Sequence, residues 1–172
     1  MSLNKQVKII LIETTNSGNI GSVLRAMKTM EFTNLCLVNP KEFPSEQVET
    51  FAANAKDLIE KVEVVDSLDQ ALEGVNFVIG TSSRMRKVPW PNESLDSVST
   101  KIIAEAKKDH KIALLFGRED RGLTNEELQR CNLHVHIKAS KDYPVLNIAM
   151  AVQVVCYQLY IDSFQDKHVV DN

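Results

Sequence analysis

The chain of 172 residues is long enough for one domain with a substantial core, and its 44% hydrophobic and 25% charged residues are ordinary for a soluble globular protein. A net charge of −3 excludes coating of nucleic acid by bulk charge, although a local basic patch is compatible with it. No run approaches the roughly 20 apolar residues of a membrane helix and no signal peptide opens the chain, so a cytoplasmic protein without membrane contact is expected.

In chain order, the apolar run VKIILIE at 7–13 predicts a first strand. It leads through TTNSGNIGS into a helix predicted over 20–31. Gly18 and Gly21 form a G-x-x-G pattern, which is neither the dinucleotide fingerprint nor a phosphate-binding loop ending in Gly-Lys-Ser/Thr. A helix start capped by Ser17 or Asn19 accounts for the polar residues on its own. At about 100° per residue, Ile20, Val23, Leu24, Met27 and Met30 share one face while Ser22, Arg25 and Thr29 lie opposite. Arg25 is therefore outside the core, either as a solvated surface residue or as a site residue; spacing alone leaves both open.

LCLVN (35–39) and VEVV (62–65) predict the next two strands, with helices over 45–60 and 67–73. NFVIG (76–80) predicts a fourth strand, followed by SRMRKVPWP at 83–91, which combines Arg84, Arg86 and Lys87 with Trp90. Cations neutralise phosphates and an aromatic face stacks an unpaired base, but a surface loop anchored by its tryptophan fits the same residues. A helix over 96–108 precedes the fifth strand, KIALLFG at 111–117. In the GREDRGL that begins at its end, Glu119 and Asp120 are adjacent carboxylates whose default place is a solvated turn. Thr124 and Glu127 have capping-box spacing at the start of a helix over 124–131. HVHI (134–137) predicts the sixth strand; His134 and His136 face one side of it with no third ligand evident, so a structural role is favoured over a metal site. The last helix, over 146–163, carries Leu146, Ile148, Ala149, Val152, Val155, Cys156 and Leu159, an apolar surface wider than one stripe. It is buried in the core or against another subunit. Cys36, Cys131 and Cys156 are odd in number, lack C-x-x-C spacing and lie in apolar segments, as reduced core residues do.

Short Val/Ile/Leu-rich runs alternating with helices predict an α/β fold with a parallel sheet covered on both faces. Unknotted winding is the default for such a chain. Ligands bind outside the carboxyl ends of such strands, and the loops after strands one, four, five and six hold much of the Gly, Ser, Thr and Arg. A site is expected where those loops converge.

Four segments, ETTNSGNIGSVLRAMKTMEFTNLCLVNP, GTSSRMRKVPWP, LLFGREDRGLTNEELQRC and LNIAMAVQVVCYQL, occur together in an order and spacing that resemble the SPOUT superfamily (TrmH family). They look most like its TrmJ-type tRNA ribose 2′-O-methyltransferases, over about 7–160. The resemblance implies one SPOUT methyltransferase domain over 1–172, with a parallel sheet flanked by helices and a C-terminal part threaded into a trefoil knot. It implies a homodimer, S-adenosyl-L-methionine held in the knot as methyl donor, no metal, and an RNA site shared between subunits. The implied reaction is 2′-O-methylation of a ribose in tRNA, at a cytidine or uridine of the anticodon loop. The same chemistry on ribosomal or other RNA, and a catalytically impaired RNA-binding member, are the alternatives.

By motif, the resemblance assigns cofactor binding to Thr81, Ser82, Ser83, Gly117, Glu119 and Ile137, and to Pro144, Val145, Leu146 and Asn147. It assigns Arg25 to the reacting ribose and Asn19 to shaping the site; Arg84, Arg86 and Lys87 are expected to contact RNA from their charge beside Trp90. On this reading the glycines of the first motif keep its turn tight and Arg25 projects toward the RNA. Two features depart from the family. Relatives carry Ser-Ser-Leu-Asn where this chain has Pro144-Val145-Leu146-Asn147, so an orienting hydroxyl near the cofactor is lost. The second concerns the C-terminal extension common among TrmJ-type proteins: the sequence stops at Asn172.

Overall fold

The computed structural model describes residues 3–82 and 92–168. Its strands are β1 (Val7–Ile12), β2 (Leu35–Val38), β3 (Glu63–Val65), β4 (Phe77–Ser82), β5 (Ile112–Phe116) and β6 (Leu133–His136). They form one all-parallel sheet in the order β3-β2-β1-β5-β4-β6. The helices are α1 (Leu3–Gln6), α2 (Ser17–Thr29), α3 (Glu46–Ala52), α4 (Leu68–Ala71), α5 (Leu95–Lys107), α6 (Asn125–Gln129) and α7 (Ile148–His168).

Strand residues alternate between two buried layers, as the period of two requires. Ile9, Leu11, Leu35, Leu37, Ile79, Leu114 and Phe116 enter the larger core, beneath α2, α5 and α7. Ile10, Ile12, Cys36, Val38, Val78 and Leu115 enter the smaller one, with Ala71 and Leu72 of the α4 region and Leu128 of α6. Because β1 and β5 bury both faces, β5 reads as an unbroken apolar run and β1 as one interrupted only by the half-buried Lys8. Each fully buried Ile or Leu contributes about 1.5–3 kcal/mol, so the centre of the sheet is a rigid base for the loops at its edge.

The predicted strands and the larger helices are present, with informative differences at their ends. α2 starts at Ser17, and its N-cap is Asn16, whose side chain accepts from the Gly18 N–H at 2.9 Å, in place of Ser17 or Asn19. The helix predicted over 45–60 breaks: Ala53 takes φ 51°, ends α3, and is followed by a 3₁₀ stretch through Lys61. β4 extends to Ser82, so Thr81 and Ser82 belong to a strand end and not to the following loop. Thr124 and Glu127 form the expected capping box. The short α1 was not expected from the sequence.

β1, β5, β4 and β6 are contiguous in the sheet although β1 and β4 are far apart in the chain. This order brings the loops after strands one, four, five and six to one stretch of carboxyl edge. β6 is placed outside β4, so the chain passes from β5 over β4 to reach it.

Candidate functional site

The loop leaving β1 is shaped by Glu13, at φ 51°, and closed by the Asn16 cap of α2. The loop leaving β5 reaches across to it. The Glu119 carboxylate accepts from the Thr15 N–H (3.2 Å), the Thr15 hydroxyl (3.0 Å) and the Asn19 side-chain amide (3.3 Å). The Asn19 carbonyl oxygen in turn accepts from the Asn147 amide at 3.2 Å. Asn147 Oδ1 accepts from the Ala149 N–H at 2.8 Å and so caps α7. One chain of hydrogen bonds thus joins three motifs, the first of them a hundred or more residues before the other two.

Beside it, Arg118 pairs with Glu13 and with Glu127 (2.9 Å) and is only 14% exposed. The Glu127 hydrogen bond foremost, with Glu13 adding to it, raises the guanidinium above its already high value despite partial burial. Burial alone would raise the Glu127 carboxyl, but hydrogen bonds from Arg118 and the Thr124 backbone outweigh it and hold Glu127 below the usual carboxylate range. Arg118 therefore stays charged and locks the β1 loop to the start of α6. Sequence reading missed this arginine, whose only signal was its place between Gly117 and Glu119.

Gly117 follows β5 where the returning chain presses on it: a Cβ there would fall 2.1 Å from the carbonyl carbon of Gly122. The Thr81 hydroxyl donates to the Leu115 carbonyl (2.8 Å), and the Ile137 N–H donates to the Ser82 carbonyl (2.8 Å). Thr81, Ser82, Gly117 and Ile137 thus sit at the adjoining ends of β5, β4 and β6. Ile137 is buried, with Leu146 packed at the border of the same core, while Pro144 is half-buried and Val145 exposed. Ser83, Arg84, Arg86 and Lys87 lie outside the described residues.

Next to the Asn19–Asn147 pair, α2 and the start of α7 enclose an open cleft of about 600 Å³. Arg25 lines it together with Asn19, Ser22, Asn147, Gln153 and Phe51. Arg25 is exposed and makes no hydrogen bond or ion pair to another described residue, and no carboxylate lines the cleft among the described residues. Helical spacing left a solvated and a site position open; Arg25 is exposed and lines this concave cleft. Phe51 and Gln153 are further lining residues without a sequence motif; Gln153 donates to the Thr29 hydroxyl at 3.2 Å and braces α7 on α2.

The glycines of the first motif have a different task from the expected tight turn. Both lie inside α2, and a Cβ on Gly21 would fall 2.4 Å from the Val48 carbonyl oxygen and 2.8 Å from the Ala52 nitrogen. Gly21 allows α3 to cross α2 at backbone distance, and Gly18 leaves room for the Phe51 ring.

The profile of the SpoU rRNA Methylase family matches residues 6–157. The tRNA (cytidine/uridine-2′-O-)-methyltransferase TrmJ of Escherichia coli K12 is 50% identical over 155 residues, which cover 90% of this chain and 63% of that protein. The chain therefore spans a little under two thirds of the curated relatives it matches. Among solved structures, a probable methylase family protein from Haemophilus influenzae has a TM-score of 0.88 at 45% identity, covering 95% of this chain and 68% of that one. A putative methylase family protein from Neisseria gonorrhoeae has a TM-score of 0.85 at 31% identity, covering 93% and 84%.

Proposed function

Since the chain belongs to the SpoU methylase family, we propose that it is an S-adenosyl-L-methionine-dependent RNA ribose 2′-O-methyltransferase acting on tRNA, at a cytidine or uridine of the anticodon loop. The observation that carries the reading is Arg25, a guanidinium with no partner and no carboxylate beside it in the cleft among the described residues, next to Asn19 and Asn147. A site of that charge suits a phosphodiester and a hydroxyl that must become an alkoxide.

The strand-end residues fit the methyl donor. Backbone ends of three adjoining strands, Gly117 without a side chain, and the apolar border at Ile137 and Leu146 suit a flat nucleoside with polar edges. Thr81, Ser82, Ser83, Gly117, Ile137 and residues 144–147 would hold it, and when bound it supplies an electrophilic methyl carbon on a sulfonium. Glu119 acts one step removed, fixing Thr15 and Asn19.

The chain's own work is orientation. Methyl transfer requires the ribose oxygen held about 3 Å from the methyl carbon and in line with it. Arg25 grips the phosphate beside the reacting ribose and stabilises negative charge on its 2′-oxygen; it does not take the proton, because a guanidinium stays protonated. Asn19, fixed between Glu119 and Asn147, sets the wall against which the ribose rests.

The reading includes a homodimer. Met150, Val154, Tyr157 and Phe164 form an exposed apolar stripe along α7, starting at the mouth of the cleft, and a second copy laid there would share the site. It also includes the trefoil knot, supported by the position of β6 beyond β4, and phosphate contacts from Arg84, Arg86 and Lys87. With tRNA as substrate, the cytoplasm is the proposed location.

The test is transfer of tritiated methyl from S-adenosyl-L-methionine to tRNA transcripts, with the modified nucleotide mapped. A 2′-O-methyl in the anticodon loop is expected. Transfer only to ribosomal RNA would replace the substrate. Because Pro144-Val145 lacks the family's hydroxyls, a second reading as an RNA-binding member has its own test. Binding without transfer, with transfer gained on Pro144→Ser plus Val145→Ser, would establish it.

A further inference from the structure

Phe51 occupies the last turn of α3, lines the cleft and is 52% exposed. Its side chain rests on α2 at two glycines, the ring at Gly18 and the Cβ at Gly21. A Cβ at Gly18 would lie 3.2 Å from the ring atoms Cδ2 and Cε2, and one at Gly21 would lie 2.9 Å from the Phe51 Cβ. The ring is thus seated against helix backbone while half of its surface faces the cleft. Ala53, at φ 51° and ψ −117°, ends α3 two residues later.

Arg25 follows Gly21 by four residues and Gly18 by seven, about 6 and 10 Å along the α2 axis at 1.5 Å per residue. Gly18, Ser22 and Arg25 fall on one face of that helix, so aromatic ring and guanidinium open into the same space. Their separation is of the size of one nucleotide, from base to sugar-phosphate. The amides of Asn16 and Gln153 on the cleft wall offer both donors and acceptors to the edge of a base. An aromatic face, a cation, neutral amides and no carboxylate form the chemical complement of an unpaired nucleotide.

We propose that Phe51 stacks an unpaired base of the RNA next to the ribose gripped by Arg25, and so contributes to choosing and holding the reacting nucleotide. This rests on the RNA-methyltransferase reading and adds to it a base-contacting residue.

Phe51→Leu keeps an apolar side chain of similar reach on Gly18 and removes the π face; Phe51→Trp keeps the face. Steady-state methyl transfer to tRNA transcripts is expected to show KM for tRNA raised about ten-fold or more in Phe51→Leu, with a smaller change in kcat. Phe51→Trp is expected to retain the parental KM, and its added tryptophan emission, measured against the parent with its single Trp90, to be quenched by saturating tRNA. An unchanged KM in Phe51→Leu would overturn the proposal. So would a KM change that accompanies a shift from dimer to monomer in sedimentation, which would place Phe51 in a subunit contact. If Phe51→Leu does not fold, the Phe51→Trp emission decides: quenching supports stacking and unaltered emission excludes it. A parent protein inactive on tRNA would count against the proposed function, while the same emission measurement would still read the stacking.

Discussion

Arg25 illustrates how a single residue acquires a role from its surroundings. It stands on the polar side of α2, and other arginines of the chain are spent in ion pairs: Arg118 on Glu13 and Glu127, Arg130 on Asp69. Arg25 has no such partner among the described residues, so its charge is free for a ligand. Arg25→Ala is expected to lower methyl transfer by about 10²-fold or more while leaving the melting temperature and the calorimetric affinity for S-adenosyl-L-methionine unchanged. Arg25→Lys is expected to recover only part of the rate, because a point charge does not reproduce the planar fork. Loss of less than five-fold in the alanine variant would remove Arg25 from the reaction. Glu119 carries the complementary lesson. The family resemblance implied a contact to the cofactor and the local sequence a solvated turn; in the fold its carboxylate accepts from Thr15 and Asn19. A donor on a distant loop leaves no trace in the local sequence, so this tie was not legible there.

At the scale of elements, the junction of α2 with α3 sets the shape of the cleft. Gly21 lets the two backbones meet, and Phe51 is placed by that contact. Gly21→Ala is expected to destabilise the protein by about 1–3 kcal/mol or more, since the nearest atoms are backbone and cannot rotate away. Chemical denaturation would register this as a lower midpoint with an unchanged slope; an unaltered midpoint would show that α3 yields without cost. Helix positions were readable because 3.6-residue periodicity and caps are local, as in the Thr124–Glu127 box. The break at Ala53 was not readable: an alanine at positive φ has no sequence signature, and the crossing with α2 imposes the bend.

For the whole molecule, α7 is the element with two commitments. Val152, Val155, Cys156 and Leu159 are buried against the sheet, while Met150, Val154, Tyr157 and Phe164 remain exposed on the same helix. Core burial and a subunit contact were the alternatives in the sequence; core burial is present, and the exposed apolar residues leave room for the contact. Tyr157→Glu is expected to turn a dimer into a monomer in analytical ultracentrifugation, with helicity kept by circular dichroism and methyl transfer lost, because a charge desolvated at a subunit contact has no partner. A parent protein that is monomeric at tens of micromolar, or a variant that stays dimeric, would sink this placement.

The sequence by itself determined the strands, the parallel α/β class and the loops that carry the site, because burial on both faces and helical periodicity are written in consecutive residues. It also carried the motifs by which the chain resembles its family, whose profile matches residues 6–157. Tertiary structure alone decided which of those residues meet. The order β1-β5-β4-β6 sets remote loops side by side, Asn19 between Glu119 and Asn147, and Phe51 in view of Arg25. The physical reason is range: propensity and patterning act over a few residues, whereas hydrogen bonds and close backbone contacts join partners that only the path of the folded chain brings together.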